Sequence, residues 1–237
     1  MEFAVDLHIH SALSPCADND MTPNNIVNMA KIKGLDIIAL TDHNSGRNLT
    51  AVSVLAKKSG LAFIPGMEVE TSEEVHLICL LPDLDSAAIL QSCVYDSLPP
   101  INNREDIFGK QLIMDENDSI IGEEKRLLVT AAGLSSNDIF TIVNKLSGAV
   151  IPAHIDRPSY SMISNLGMIP DDLGIKYLEI SAGCDKHKFL SSKPGLEKFT
   201  LIKSSDAHYL GDILERVSLM ELDEPSPQAL ISKLRQY

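Results

Sequence analysis

Short apolar runs separated by amphipathic stretches make up most of the chain. Residues 37–40 are continuously apolar, which is typical of a strand covered by helices on both faces. Residues 23–33 repeat apolar positions at helical spacing, with Thr22 as the predicted N-cap and Pro23 at the first helical position. This order of strand and helix recurs, and it predicts an α/β architecture with a parallel sheet.

The same pattern gives the bounds of the other elements. We predict strands over residues 3–10, 36–40, 61–64, 67–70, 75–81, 148–155, 176–181, 200–204 and 217–222. Pro65 and Gly66 are expected to break the third strand, which continues over residues 67–70. Helices are predicted from Pro23 to the stop at Gly34, and over residues 49–58, 86–95, 137–146, 160–166 and 225–236.

Residues 83–148 interrupt the alternation of strand and helix. Residues 111–114 and 120–122 flank a polar turn and predict a β-hairpin, which lies between two predicted helices. We therefore expect one domain over residues 1–237, with residues 83–148 as an insertion that forms a lid or an oligomer contact. The sequence leaves the oligomeric state open.

Six of the seven histidines lie within or just after a predicted strand, whereas His187 lies in a polar loop. In α/β barrels and open parallel sheets, chemistry is concentrated at the carboxyl ends of strands. One fold would therefore bring several imidazoles and carboxylates to one rim. The candidates are His8, His10, His43, Glu68, His76, His154, Asp206 and His208.

The first strand carries the clearest metal-binding pattern. Side chains alternate along a strand, so Asp6, His8 and His10 share one face. Asp206 and His208 repeat the spacing of two. Imidazole and carboxylate suit zinc, manganese or iron. The alternatives are a buried strand with incidental histidines and, on the Glu68 strand, Glu70 as a competitor on the same face.

Charge, hydropathy and cysteine content limit the classes of protein to which this chain could belong. The chain has 20 Lys and Arg against 33 Asp and Glu, a net charge of −13, which makes a nucleic-acid partner unlikely. No apolar run approaches the ~20 residues of a membrane span, and we expect no leader peptide. The four cysteines are scattered, as expected for reduced thiols in a cytoplasmic protein.

A set of six short motifs together resembles the PHP superfamily, the polymerase and histidinol phosphatase domain. The resemblance runs from residue 3 to about residue 210, with residues 83–148 as the variable part. It implies a distorted (β/α)7 barrel with two or three divalent metal ions at the carboxyl ends of the strands. The motifs are Asp6-x-His8-x-His10-Ser11, Thr41-Asp42-His43, Gly66-Met67-Glu68, His76, Ala153-His154 and Ser205-Asp206-Ala207-His208.

The resemblance also implies a ligand set for each ion. The first ion would take His8, His10, Glu68 and Asp206, and the second would take Glu68, His76 and His154. The third would take His43, His208 and one residue of the loop after the first strand, where family members usually have His or Asp five or six residues after the second histidine. Pro15 and Cys16 occupy those positions here, so we favour Asp18, with Asp20 and Cys16 as alternatives. Asp6 and Asp42 are expected to orient imidazoles.

The activity implied is hydrolysis of a phosphate ester in a small phosphorylated metabolite or nucleotide by a metal-activated hydroxide. Asp206 and His208 are also candidates for proton transfer, and Arg157 for a phosphate clamp. Two alternatives stay open: a metal-stabilised structural or regulatory module without activity, and a nuclease or phosphodiesterase of the same family. The zinc deaminase, zincin and phosphate-loop motifs are missing from the sequence.

Overall fold

The computed structural model describes residues 1–235. Its strands are β1 (Glu2–Ile9), β2 (Ile37–Leu40), β3 (Ala62–Glu70), β4 (His76–Leu80), β5 (Leu112–Met114), β6 (Ile120–Glu123), β7 (Ala149–Pro152), β8 (Tyr177–Ser181), β9 (Thr200–Ser204) and β10 (Leu219–Glu221). Its α-helices are α1 (Pro23–Ile32), α2 (Leu49–Ser59), α3 (Leu84–Ser97), α4 (Glu105–Phe108), α5 (Ser136–Lys145), α6 (Met162–Leu166), α7 (Lys186–Ser192) and α8 (Pro227–Arg235).

The main sheet has six strands in the order β10-β1-β2-β3-β4-β7, and β8 and β9 form a separate parallel pair. A bridge between Ile9 and Ala207 connects that pair to β1, so the whole curls into a half-barrel. The predicted α/β class is confirmed. Within the six-stranded sheet, the expectation of parallel strands holds only for β1, β2 and β3, because β4 runs antiparallel to both β3 and β7, and β10 runs antiparallel to β1.

The predicted break at Pro65 and Gly66 is wrong, since β3 continues through both residues. Pro65 is the last residue of β3 that pairs with β2, and Gly66 is the first that pairs with β4. Pro65 has no backbone N–H to donate, but its carbonyl still accepts a hydrogen bond from the backbone N–H of Leu81 at 2.8 Å, so proline is tolerated here. Gly66 lies where a Cβ would come within 2.7 Å of the Thr41 side chain.

Side-chain caps start α1 and α5 within one residue of the predicted places. The Thr22 hydroxyl accepts a hydrogen bond from the backbone N–H of Asn25, with Pro23 at the first helical position. Ser135 and Asp138 form a reciprocal capping box at the start of α5. Helices α4 and α7 were not predicted, because both are short and lie in polar segments. The predicted end of the last helix at Gln236 lies outside the described residues.

Two apolar layers cover the two faces of the sheet. Consecutive residues of β2 enter different layers: Ile37 lies in one layer with Leu7, and Ile38 lies in the other with Ile9. All four side chains are fully buried, and each contributes roughly 1.5–3 kcal/mol by leaving water. Within residues 1–235, no helix has both the length and the apolar character that crossing a membrane requires.

Replacing Gly148 with alanine is expected to lower the free energy of unfolding by about 1–3 kcal/mol. A Cβ at this position would come within 2.5 Å of the Leu80 carbonyl oxygen and 2.8 Å of Val143, so β4 and β7 would have to separate. Denaturant unfolding measures the loss. Gly183→Ala is the matched control, because nothing lies within 4 Å of its added Cβ. Equal stability of the two variants would contradict this packing at Gly148.

Candidate metal centre

The buried carboxylate of Glu68 lies at the middle of the histidine cluster. It is 1% exposed, and each of five imidazoles has a nitrogen within 3.4 Å of one of its oxygens. Oε1 faces one group of imidazoles and Oε2 the other. To Oε1 the distances are 3.3 Å from His8 Nε2, 2.8 Å from His76 Nδ1 and 3.2 Å from His154 Nε2; to Oε2 they are 3.4 Å from His10 Nε2 and 2.8 Å from His43 Nδ1.

Strand direction explains how His76 joins this cluster. His76 is the first residue of β4, so in a parallel sheet it would lie at the rim opposite the carboxyl ends. Because β4 is antiparallel to β3, His76 instead pairs with Glu70, near the end of β3 that carries Glu68. His154 follows β7, which runs antiparallel to β4, and therefore returns to the same rim.

Potential ligand atoms fall into three overlapping groups, within each of which they lie no more than 4.8 Å apart. Glu68 belongs to two of the groups, and so do His10 and His43. The groups are His8, His10, Glu68 and Asp206; His43, Glu68 and His76; and His10, His43 and His208. The first group has the same members as the set expected for the first ion. The other two place His43 between Glu68 and His208.

Hydrogen bonds at the far side of the rings set which nitrogen faces the centre. His8 Nδ1 donates to Glu179 Oε1 at 2.9 Å, which leaves the Nε2 lone pair toward Glu68 and Asp206. Ser14 donates its hydroxyl proton to Asp42 at 2.7 Å, so its oxygen accepts from His10 Nδ1 at 3.0 Å. His10 Nε2 then also presents a lone pair inward. This arrangement is typical of imidazoles that bind metal.

Metal ions fit the donors that the chain provides here. Glu68 Oε2 is buried and has no hydrogen-bond partner, although His43 Nδ1 lies 2.8 Å away, because the two atoms are not aligned for a hydrogen bond. His8 Nε2 and His10 Nε2 face each other at 3.0 Å. Lone pairs that converge without sharing protons are favourable only around a cation. Nitrogen and carboxylate oxygen are the ligands that zinc, manganese and iron accept.

The electrostatics of the chain itself are strongly coupled. Burial opposes ionisation of Glu68, but the imidazoles of His76, His8 and His43 hold the pKa of its carboxyl well below its usual range. The pKa of His10 is well below its usual value, through burial and through repulsion by His208 and His43. Neutral imidazole is the form that ligates metal, so His10 is ready to bind at neutral pH.

Two of the residues at the centre have left-handed backbone conformations. The φ angles are 30° at His154 and 51° at Asp206, and neither residue is glycine. Such conformations cost about 1–3 kcal/mol each and cluster at functional sites. Asp206 Oδ1 lies 3.0 Å from His10 Nε2, and Oδ2 forms an ion pair with Arg157, at 2.6 Å from Nη1. Arg157 therefore lies beside the centre, with 42% of its side chain exposed.

The loop after β1 places Cys16 at the centre and turns Asp18 away from it. The Cys16 sulfur lies 3.1 Å from His208 Nε2. The Asp18 carboxylate accepts a hydrogen bond from the backbone N–H of Asp20, and the backbone N–H of Asp18 donates to the His208 carbonyl. Asp18, which the sequence favoured, thus serves the loop backbone, while Cys16 presents a ligand atom. Asp20 is exposed, and its carbonyl accepts from Asn25.

Sequence reasoning missed several contacts around the cluster. Glu179 lies inside the apolar strand predicted over residues 176–181, and a charge at that place was the available signal of a buried partner. Asp6 was expected to orient an imidazole, but its carboxylate accepts from the backbone N–H groups of Ser205 and Leu214 at 3.0 Å. It therefore fixes the segment that carries Asp206. Tyr160, whose ring stacks on His76 with 4.8 Å between centroids, gave no signal.

In the metal-free protein, Cys16 is expected to react with iodoacetamide with a midpoint near pH 6. Burial raises the pKa of its thiol, but hydrogen bonds with His208 and His43 lower it to about 6. The thiolate is the nucleophile, so the rate rises as pH passes through this value and levels off above it. Mass spectrometry of the modified peptide gives the rate. Cys79, which is buried, is the unreactive control. A midpoint at pH ~8.5, the pKa of an unperturbed thiol, would contradict the contacts with the imidazoles.

Comparisons with known proteins agree with this fold. The profile of the PHP domain matches residues 6–135. An uncharacterized protein, MJ0043, of Methanocaldococcus jannaschii is 26% identical over 89% of this chain and 22% of its own. The 3',5'-nucleoside bisphosphate phosphatase of Chromobacterium violaceum is 33% identical over 32% of this chain and 27% of its own. The chain spans less than half the length of these curated relatives.

One solved structure extends the likeness to the whole fold. The lesion-specific endonuclease PfuEndoQ of Pyrococcus furiosus superposes with a TM-score of 0.70 at 20% identity. The match covers 99% of this chain and 56% of the endonuclease. At that identity the likeness concerns the fold alone.

Proposed function

This chain belongs to the PHP domain family, whose profile matches residues 6–135, and on that basis we propose that it is a metal-dependent phosphoesterase acting on a small phosphorylated metabolite or nucleotide. One observation carries the proposal: a buried carboxylate, Glu68, with nitrogens of five imidazoles within 3.4 Å. Relatives with the PHP fold include a nucleoside bisphosphate phosphatase and a cyclic phosphate diphosphodiesterase.

The proposed ligands are the sequence candidates that the fold brings together. His8, His10, Glu68 and Asp206 would hold one ion, and Glu68 would bind a second ion together with His76 and His154. Divalent ions bound there supply charge neutralisation for phosphate oxygens and a water of lowered pKa. Elemental analysis of the purified protein measures the number of bound ions, two or three, and identifies them as zinc, manganese or iron.

Asp206 connects the proposed ligands to the proposed phosphate clamp. One of its oxygens faces His8 and His10, and the other forms an ion pair with Arg157. A phosphate oxygen arriving at the centre can replace that carboxylate as the acceptor of the guanidinium. His208 has the most exposed imidazole of the cluster, at 23% of its side chain, so an entering substrate meets it first. We keep Asp206 and His208 as candidates for proton transfer.

Replacing Arg157 with alanine is expected to lower kcat/KM for a phosphate ester about 10–100-fold, mostly through KM. The loss of one charge-assisted hydrogen-bonding group is worth about 1.5–3 kcal/mol. Bound metal should stay unchanged, which elemental analysis checks. Arg216→Ala is the matched control, because Arg216 is similarly half-exposed and pairs with Asp36 at 2.7 Å away from the centre. If the two variants had equal kinetics, Arg157 would not act as the phosphate clamp.

Residues 83–148 contribute to the walls around the centre, and we propose them as an insertion in a single domain. Strands β4 and β7 pair directly, so this segment leaves the sheet and returns to it. It packs on the loop after β1, where Leu112 donates its N–H to the Ala12 carbonyl. It also packs on the loop after β2, where the Asn44 amide donates to the carbonyls of Leu128 and Thr130. We propose that it limits the size of the substrate.

The test is phosphate release from a panel of phosphorylated metabolites in the presence of manganese or zinc, with a chelator as the control. The panel holds nucleoside monophosphates, 3′,5′-bisphosphates, sugar phosphates and histidinol phosphate. We expect chelator-sensitive release from one compound or a few related ones. No release from any compound, in protein shown to carry metal, would overturn the phosphatase proposal and favour a structural or regulatory module.

A second candidate is cleavage of a phosphodiester in a nucleic acid. The segment over residues 176–203 holds six lysines and three acidic residues, against the overall charge of −13. Helix α7 in this segment follows β8, whose carboxyl end lies beside that of β9 and hence near Asp206. Binding of a 5′-phosphorylated oligonucleotide that weakens with salt, and its chelator-sensitive cleavage, would favour this candidate.

A further inference from the structure

The Cys16 sulfur lies beside two of the histidines of the centre. It is 3.1 Å from His208 Nε2 and also within hydrogen-bonding reach of His43. His208 Nδ1 donates to the Asp206 carbonyl at 2.8 Å, so Nε2 is the nitrogen that faces the sulfur. His10, His43 and His208 form one of the three groups of closely spaced ligand atoms. The sulfur therefore lies at the end of this group that His208 occupies.

We propose that Cys16 is a thiolate ligand of a metal ion held by His43 and His208. The site would combine imidazole nitrogen with thiolate sulfur, and it would select a thiophilic divalent cation, zinc in particular. The inference rests on the proposed function in taking the centre to bind metal. It goes further by giving one of its ions a different ligand chemistry from the others.

The loop that carries Cys16 is held in place from both ends. Ala12 donates its backbone N–H to Met21 at 2.9 Å, which closes the loop at its base. Ala17 donates to the Ser14 carbonyl, and Asp18 to the His208 carbonyl, both at 2.9 Å. The two residues that follow Cys16 are thus tied to the loop and to the segment of His208. The backbone itself directs the sulfur toward the imidazoles.

Ligand chemistry gives the proposal its consequence. Tetrahedral sites of histidine and cysteine are typical of zinc, whereas manganese and magnesium prefer carboxylate, carbonyl and water oxygens. The other two groups each contain Glu68, and one also contains Asp206, so they suit a wider range of ions. We therefore expect that zinc at the Cys16 site resists replacement when excess manganese exchanges into the rest of the centre.

Cobalt substitution tests the ligand directly. A Co²⁺ ion bound to thiolate shows a sulfur-to-cobalt charge-transfer absorption in the near ultraviolet, which nitrogen and oxygen ligands do not give. We expect this band in the Co²⁺-loaded wild type, its loss in Cys16→Ser, and its retention in Cys184→Ser. Cys184 is a suitable control because it is partly exposed and contacts none of the proposed ligands in the described structure. Cys16→Ser should also bind less zinc per chain.

Alkylation of the wild type provides a test that needs no variant. Zinc is expected to slow the reaction of Cys16 with iodoacetamide at least about tenfold, because the metal holds the attacking thiolate. Full cobalt loading without the charge-transfer band, or equal alkylation with and without zinc, would overturn the proposal and leave the sulfur as a hydrogen-bond partner of His208.

Phosphate release measured on the same samples separates the two proposals. The band without hydrolysis of any compound would support the sulfur ligand and overturn the phosphatase proposal. Hydrolysis without the band would do the reverse.

Discussion

Replacing His10 with alanine is expected to lower phosphate release at least about a hundredfold while the fold stays intact. His10 Nε2 lies 3.0 Å from both His8 Nε2 and Asp206 Oδ1, and 3.4 Å from Glu68 Oε2. It belongs to two of the three groups of ligand atoms. Loss of a residue that only supports a ligand typically costs roughly 10–100-fold, so loss of a direct ligand should cost more.

The measurement is turnover with the best compound of the panel, together with metal content and circular dichroism. His187→Ala is the matched control, since His187 is the exposed histidine on α7 and lies outside the three groups. It should retain the turnover of the wild type. If His10→Ala kept comparable turnover, His10 would not be a ligand, and the proposed centre would need a different composition.

Replacing Glu68 with glutamine is expected to have an effect at least as large. Glutamine keeps the shape of the side chain but removes its charge and turns one oxygen into an N–H donor. The five surrounding imidazole nitrogens would then face a neutral amide. We expect loss of bound metal and a fall in phosphate release of at least about a hundredfold, since one residue would be lost from two sites.

Glu70→Gln separates a specific role of Glu68 from a general need for charge on this strand. Glu70 lies on the same face of β3, but its carboxylate is 3.9 Å from His76 and it belongs to none of the three groups. It should retain metal and most of the activity. Equal losses in the two variants would mean that negative charge at this rim matters, and not ligation by Glu68.

Local interactions explain the parts of the fold that the sequence predicted well. The cap at Thr22, the proline at position 23 and the apolar periodicity of α1 act within one or two turns of helix. The hairpin of β5 and β6 follows from two short apolar runs around a polar turn. Short helices in polar segments, such as α7, have little apolar periodicity, so no hydrophobic pattern predicted them.

Sequence reasoning missed the direction of β4. The connection from β3 to β4 is short, which forces an antiparallel pair, yet the apolar run of β4 looks the same in either direction. The position of His76 depended on that choice. The fate of Pro65 and Gly66 depended on it as well, because these residues stand where β3 changes from a parallel to an antiparallel partner.

The sequence by itself determined the α/β class, the membership of the motif set and the residue types of the candidate centre, because these depend on short-range order and on chemistry carried by single residues. Only the tertiary structure decided that Glu68 lies among five imidazoles, that Glu179 orients His8, and that Cys16 rather than Asp18 faces His208. Those contacts join residues far apart in the chain. They depend on strand direction and loop closure, which no local pattern encodes.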